Sequence, residues 1–334
     1  MITYYVTGIS GHLGRNIALE ILKQKDVQIV GLVLPHEKIV SFNDNRVSFV
    51  KGNILNKEEI RAFYQTKRSA VNYVIHAAGL ISIYKKKDPL VENVNVLGTK
   101  YALDTALECK MDKFVYVSSV DALKWEKNKI ISEPSSFNKK DVIGVYAESK
   151  AEASQYVLSK KDNIWVSIVM PSALVGPFDY LKGPLNYVLY KYLIGKLKVI
   201  VTGGYDLVDV RDVASGIVSS LNINESGHSY ILSGEKIKIS SLIKLCNEIT
   251  HSGSYRFIFP TWLVKIFAPF LELIYKLKGK KPLFTAHSMT CLKANPTYSH
   301  TKAEQMLGYT SRPLIETLKD TFMWIDEHIE VYQK

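Results

Sequence analysis

The chain has 334 residues, 47% apolar and 22% charged, which excludes a disordered, collagen-like or low-complexity polymer and leaves ample apolar surface for a packed core. Its formal charge of +11, from 43 Lys and Arg against 32 Asp and Glu, favours anionic partners but does not choose among nucleotides, nucleic acid and membrane head groups. Three scattered cysteines, Cys109, Cys246 and Cys291, exclude a disulfide framework or a Cys-x-x-Cys site, suit a reducing cytoplasmic compartment, and join no metal-ligand cluster, so no metal is expected.

In chain order, Ile2 to Val6 reads as a buried strand, and Leu13, Ile17 and Ile21 recur at helical spacing after it. Further apolar runs at Val27 to Leu34, Val47 to Val50, Val71 to His76, Phe114 to Val117 and Ile164 to Met170 read as strands. Helices are expected over Asp88 to Lys110, with Pro89 in the first turn, and over Asp141 to Lys161. Continuous apolar strands with helices between them imply a parallel sheet covered on both faces, a doubly wound α/β (Rossmann) fold. Residues 1–171 form the expected dinucleotide-binding domain. After Pro171 the pattern loosens into a smaller, mainly helical substrate domain over 172–334, with 206–222 rejoining the first.

Lys85, Lys86 and Lys87 read as a solvated loop. The apolar stretch 258–277 has helical spacing and is interrupted by Lys265, Pro269, Glu272 and Lys276. It fits a buried amphipathic helix or a monotopic membrane contact. No segment is long and apolar enough to span a bilayer, and no targeting sequence is expected at the start.

The first strand runs into Thr7-Gly8-Ile9-Ser10-Gly11-His12-Leu13-Gly14-Arg15, a glycine turn opening a helix. Gly8 permits the tight turn, Gly11 a close approach to a pyrophosphate, and Gly14 close packing of the helix. The free amides at the helix start would hold the anion. The second strand ends Leu34-Pro35-His36-Glu37-Lys38, with no acid where one would bind the ribose hydroxyls of NAD. Arg15 and Lys38 would instead meet a 2′-phosphate, so the expectation inclines to NADP over NAD. Tyr146 and Lys150 lie four apart on one expected helix. An ammonium there would lower the phenol and let Tyr146 act as general acid or base. Ser118 and Ser119 end the fifth strand, at the edge of the sheet where ligands bind.

Taken together these pieces resemble the extended short-chain dehydrogenase/reductase family, of the NAD-dependent epimerase/dehydratase type, nearest its dihydroflavonol-reductase-like and 3β-hydroxysteroid-dehydrogenase-like branch. The glycine turn, Gly52-Asn53-Ile54, His76-Ala77-Ala78-Gly79 and Asn95-Val96-Leu97-Gly98-Thr99 carry the resemblance, followed by Val117-Ser118-Ser119, Tyr146 to Lys150, Pro171, Gly176-Pro177 and Val208-Asp209-Val210-Arg211-Asp212-Val213. The resemblance implies Ser119, Tyr146 and Lys150 as the catalytic trio. It implies Ala77, Ala78 and Gly79 beneath the cofactor ribose, Asn53 and Ile54 beside the adenine, and Asn95 in the helix flanking the site. Thr7, Ser10, His12, Leu13, Val117 and Pro171 complete the implied cofactor shell. The implied activity is hydride transfer between NAD(P) and a carbonyl or secondary alcohol. Two alternatives remain. One is a nucleotide-sugar epimerase or dehydratase holding NAD tightly; the other is a non-catalytic cofactor-sensing or nucleic-acid-binding regulator, against which the presence of both Tyr146 and Lys150 speaks. The expected partner is the small-molecule substrate, with no nucleic acid and with a second copy of the chain in a homodimer.

Overall fold

The computed structural model describes residues 1–82, 88–126, 128–251, 257–264, 266 and 286–333. Lys85, Lys86 and Lys87 and most of the stretch 258–277 lie outside them. Strand β1 (Ile2–Thr7) sits inside a seven-stranded parallel sheet. On one side of it run β2 (Val27–Val33) and β3 (Val47–Lys51). On the other run β4 (Val71–His76), β5 (Lys113–Val117), β6 (Trp165–Pro171) and, at the edge, β9 (His228–Leu232). The chain leaves β1 in one direction and returns to its other side at β4. The strand order therefore reverses between β1 and β4, and a crevice opens beyond their carboxyl ends.

Both faces of the sheet are covered, which is why its strands are apolar at successive positions. Tyr5 packs edge-on against Phe63 and Tyr64 of α2 (Lys57–Gln65) at ring separations of 5.4 and 5.7 Å. Its neighbours Tyr4 and Val6 point the other way, into a core with Leu13, Ile17 and Ile21 of α1 (His12–Ile21). The two faces thus have separate cores, one under α2 and the helices that follow β4 and β5, the other under α1.

The helix expected over 88–110 forms as α3 (Pro89–Glu92), one widened π turn (Asn93–Leu97) and α4 (Gly98–Glu108). The bulge carries Asn95, whose buried side chain is committed to other chain segments. The helix expected over 141–161 begins later, as α5 (Val145–Leu158). Residues Lys139–Asp141 form a separate 3-10 turn, and Gly144, at φ +109°, interrupts the helical path before α5.

After β6, a three-stranded sheet forms from β7 (Ala173–Val175), β8 (Gly204–Asp209) and β10 (Glu235–Lys238), with β8 in the middle. It shares a third core with α6 (Pro184–Leu193), α8 (Ile239–Thr250) and α9 (Leu314–Glu327), in which Tyr192, Leu318 and Ile325 are fully buried. The stretch 208–221 divides: Val208 and Asp209 end β8, and the chain turns into α7 (Val210–Ser220), which packs on α1 under the main sheet. Among the described residues no helix is long and apolar enough to cross a membrane.

A lattice of ion pairs ties the C-terminal segment to the start of α7. Arg312 reaches Asp212 at 2.5 Å, and Arg211 bridges Asp209 and Asp320 at 2.7 Å each. Asp209 and Asp212 are buried, so their charges depend on these partners. Replacing Arg312 with Ala should cost about 3 kcal/mol, the usual result of stranding a buried carboxylate. Urea unfolding measures it, and a loss below about 0.5 kcal/mol, the size of an ordinary surface substitution, would show the pair to be solvated.

Candidate active site

The glycine turn forms at the reversal point. Gly8 has φ +71°, and a Cβ there would lie 2.8 Å from the backbone nitrogen of Ala78, so only glycine fits. A Cβ on Gly14 would lie 2.0 Å from the Gly8 carbonyl oxygen, which fixes how closely α1 follows the turn. Gly11 caps α1 without any side-chain acceptor, and the first turn holds no acid. Its leading amides therefore face the crevice, an arrangement suited to a phosphate.

Thr7 and His76 brace this point from below. His76 is fully buried between Thr7, at 2.8 Å from Nδ1, and Thr99, at 3.1 Å from Nε2. Thr99 donates its proton to the Asn95 carbonyl at 2.6 Å, so it accepts from His76, and Nε2 carries the ring hydrogen. Nδ1 then accepts from Thr7, whose oxygen accepts in turn from the Ala78 amide at 3.1 Å. Burial and the Lys150 charge push the ring down to about 3, and His76 is a neutral strut.

Across the crevice, Asn95 accepts from the Leu80 amide at 2.8 Å and donates to the Leu80 carbonyl at 2.9 Å and to Ser149 at 3.0 Å. It thus holds the segment after Gly79 against α5. A Cβ on Gly79 would sit 3.2 Å from Asn95 Oδ1 and 3.3 Å from Lys150 Nζ. Lys150 is buried, donates to the Val117 carbonyl at 2.7 Å, and lies 4.9 Å from the centre of the Tyr116 ring. Burial lowers it to about 7.

Ser119 lies two residues past β5 and opens a 3-10 turn over Val120–Ala122, accepting from the Asp121 amide at 3.1 Å. Ser118 is occupied elsewhere, bonded to Ser154 at 2.7 Å. The Ser119 hydroxyl also interacts with the phenol of Tyr146 and the carboxyl of Asp121. The expected effect of Lys150 on Tyr146 is not what the geometry produces. The phenol is pushed above its ordinary value, first by burial and then by the Asp121 charge, with Ser119 offsetting part of the rise. Lys150 points its ammonium toward Val117 and Gly79 and is not among the groups that shift the phenol.

The other end of the crevice also departs from expectation. Arg15 is buried, donates to the Val40 and Ser41 carbonyls at 3.0 Å each, and lies between the rings of Phe42 and Tyr180. Its guanidinium clamps the loop after β2. A carboxylate does come back to the end of β2, from four residues past the strand. The turn between Leu34 and Glu37 brings the Glu37 side chain back to the Leu34 amide at 3.0 Å and the Ser10 hydroxyl at 2.5 Å. Leu34, Pro35, His36, Glu37 and Asn53 line one cavity of about 540 Å³. Asn53 turns its carbonyl to the Leu55 amide at 2.9 Å, and Ile54 packs against Gly98. His12 bonds the carbonyls of Gly176 and Pro177 at 3.1 and 3.0 Å, Leu13 joins the core beneath the turn, and Pro171 closes β6.

The strand-end turns that carry Glu37 and Asp121 bring these two carboxylates to the site, and neither is singled out by the sequence motifs. Ser-x-Asp at a strand end was the available signal for Asp121, since a Ser cap followed by an acid is a common turn. An uncapped helix start, a carboxylate at the end of β2 and a glycine opposite a buried ammonium together fit an extended dinucleotide laid across the crevice. Among the described residues no group of three or more His, Cys, Asp or Glu side chains is placed to hold a metal.

The model of the NAD dependent epimerase/dehydratase family matches residues 4–233, and the chain belongs to that family of NAD-dependent enzymes. It is 27% identical over 332 residues to a Synechocystis sp. protein carrying the provisional name dihydroflavonol 4-reductase, covering 97% of this chain and 95% of that one. It is 26% identical to the Arabidopsis thaliana 3β-hydroxysteroid-dehydrogenase/decarboxylase isoform 1, covering 95% and 78%. The crystal structure of gox2253 superposes with a TM-score of 0.82 at 26% identity, covering 98% of each chain. At 17% identity, Bacillus cereus UDP-glucuronic acid 4-epimerase, solved with UDP-glucuronic acid and NAD, shares the fold with a TM-score of 0.74, covering 97% of this chain and 99% of that one.

The buried lysine leaves a mark on stability. Lys150 titrates near 7 in the folded chain against 10.5 ordinarily, so between those values the unfolded chain binds more protons and stability rises with pH. Relative to Lys150→Met, the wild type should therefore gain stability from pH 7 to 10 in urea titrations. A constant difference would place the ammonium in water.

Proposed function

We propose that the chain transfers a hydride between NAD and a carbonyl or secondary-alcohol substrate, with Tyr146 moving the accompanying proton. The carrying observation is that α5, which bears Tyr146, packs across the turn opened by Ser119 beyond the carboxyl end of β5, with Tyr146 one helical turn from a buried Lys150 that faces Gly79. The names of both sequence relatives, a reductase and a dehydrogenase, support the same class. In this reading residues 1–171, with α7 and β9, hold the cofactor, and the remainder of 172–334 shapes the substrate pocket.

When bound, the nicotinamide supplies or takes the hydride. Ser119 and Tyr146 donate hydrogen bonds to the substrate oxygen and hold it in place. As negative charge develops on that oxygen, Tyr146 gives up its proton and Ser119 retains the hydrogen bond. The raised phenol is protonated at neutral pH, the form an acid needs, which suits the reductive direction. Lys150, fixed by the Val117 carbonyl, would hold the ribose on the nicotinamide side. The α1 N-terminus would bind the pyrophosphate and Glu37 the adenosine ribose hydroxyls.

Glu37 also decides between cofactors. A 2′-phosphate there would face a carboxylate, and Arg15 has both terminal nitrogens on carbonyls, so the proposed cofactor is NAD. NADH should bind at least about tenfold more tightly than NADPH, the size of one unfavourable charge contact. Glu37→Ala should narrow that gap, as read by fluorescence titration; an NADPH preference in the wild type would reverse the assignment.

Tyr146→Phe should bind NADH normally and lose at least about a hundredfold in turnover on a ketone and aldehyde panel, the usual worth of a general acid. Near-normal turnover would remove Tyr146 from the chemistry. Conversion of sugar nucleotides on co-purified NAD, with no net change in NADH, would replace the reading by epimerisation.

A further inference from the structure

Between Ser118 and Leu123 only Asp121 is exposed; the five residues around it are buried. It is therefore open to ligands in the turn that follows the carboxyl end of β5, two residues from Ser119. The 3-10 turn opened by Ser119 fixes its backbone, and α5 packs across that turn. The protein packed around it raises its carboxyl above the ordinary value, the Ser119 hydroxyl offsets part of that rise, and its charge when ionised acts on the Tyr146 phenol. An acid so near these two hydroxyls has no part in the proton transfer described above. Among the described residues no cation acts on it: Lys150 is turned to the Val117 carbonyl and Gly79.

We propose that Asp121 is a specificity-determining residue that accepts substrates carrying a hydroxyl on the carbon next to the reacting carbon and rejects those carrying a carboxylate or phosphate there. The inference rests on the reading of Ser119 and Tyr146 as the groups that hold the substrate oxygen. Substituents on the neighbouring carbon lie within a few bond lengths of that oxygen, and so within reach of Asp121. A carboxylate only accepts hydrogen bonds. A vicinal hydroxyl gives it a donor, whereas a vicinal anion meets its charge. Two unit charges about 5 Å apart at an effective dielectric near 20 repel enough to cost roughly a hundredfold in binding.

Three alcohols of one ring size separate the contributions: cyclohexanol, trans-1,2-cyclohexanediol and cis-2-hydroxycyclohexane-1-carboxylate. Their oxidation with NAD is followed by NADH absorbance in the full-length wild type and in Asp121→Asn, a variant of nearly the same shape without the charge. The quantity of interest is the ratio of kcat/KM values between alcohols, in which effects on Tyr146, on cofactor binding or on the amount of folded protein cancel. In the wild type the diol should exceed cyclohexanol, and the hydroxy acid should fall roughly a hundredfold below it. In Asp121→Asn the hydroxy acid should recover to within about tenfold of cyclohexanol, leaving less than the full penalty of one unit charge. Ratios unchanged by the substitution would overturn the proposal while leaving the oxidoreductase reading intact. Failure of every alcohol to yield NADH would count against that reading instead. The same ratios are then taken from competition of the three compounds for the NADH complex, followed by the fluorescence of bound NADH, where equal affinities in both proteins would again overturn the role of Asp121.

Discussion

The contact of Gly8 with the backbone of Ala77 and Ala78 sets the geometry of the molecule. No side chain fits there, so the ends of β1 and β4 meet without padding at the place where the sheet reverses its order. The hydrogen-bond chain through Thr7, His76, Thr99 and Asn95 holds that meeting from beneath. From it the two ends of the crevice follow. The uncapped start of α1 lies to one side, and Gly79 with Asn95 and Lys150 to the other. Because adjacent strands are spaced by fixed backbone hydrogen bonds, the two ends of the crevice are set by the fold rather than by flexible side chains.

Burial does much of the electrostatic work. It keeps His76 neutral, draws Lys150 toward neutrality and raises the Tyr146 phenol. The phenol is therefore tuned by what surrounds it, and the lysine four residues on is not among the groups that tune it. Asp121 strengthens the bias toward the protonated phenol.

Much of this was legible in the sequence. Strands buried on both faces leave unbroken apolar runs, and all six so identified joined the main sheet. The glycine turn was legible because its constraint is local. The remainder was set by contacts between distant segments. The π turn at Asn95 exists because that side chain serves the backbone of Leu80 and the hydroxyl of Ser149, which no helical periodicity reveals. Arg15 looked like a phosphate ligand until the loop after β2 folded back over it. Glu37 looked too far from its strand, since a turn shortens a path that sequence spacing overstates. Asp121 matters only because α5 crosses its turn.

Arg15 and His12 give α1 a second duty. From its first two turns, Arg15 is wedged between Phe42 on the cofactor side and Tyr180 beyond β7, while His12 grips the carbonyls of Gly176 and Pro177. The same short helix is thus both anchor and axle. The uncapped start of α1 and the segment 176–180 are therefore fixed to each other through one short rigid element, so neither can shift without carrying the other along.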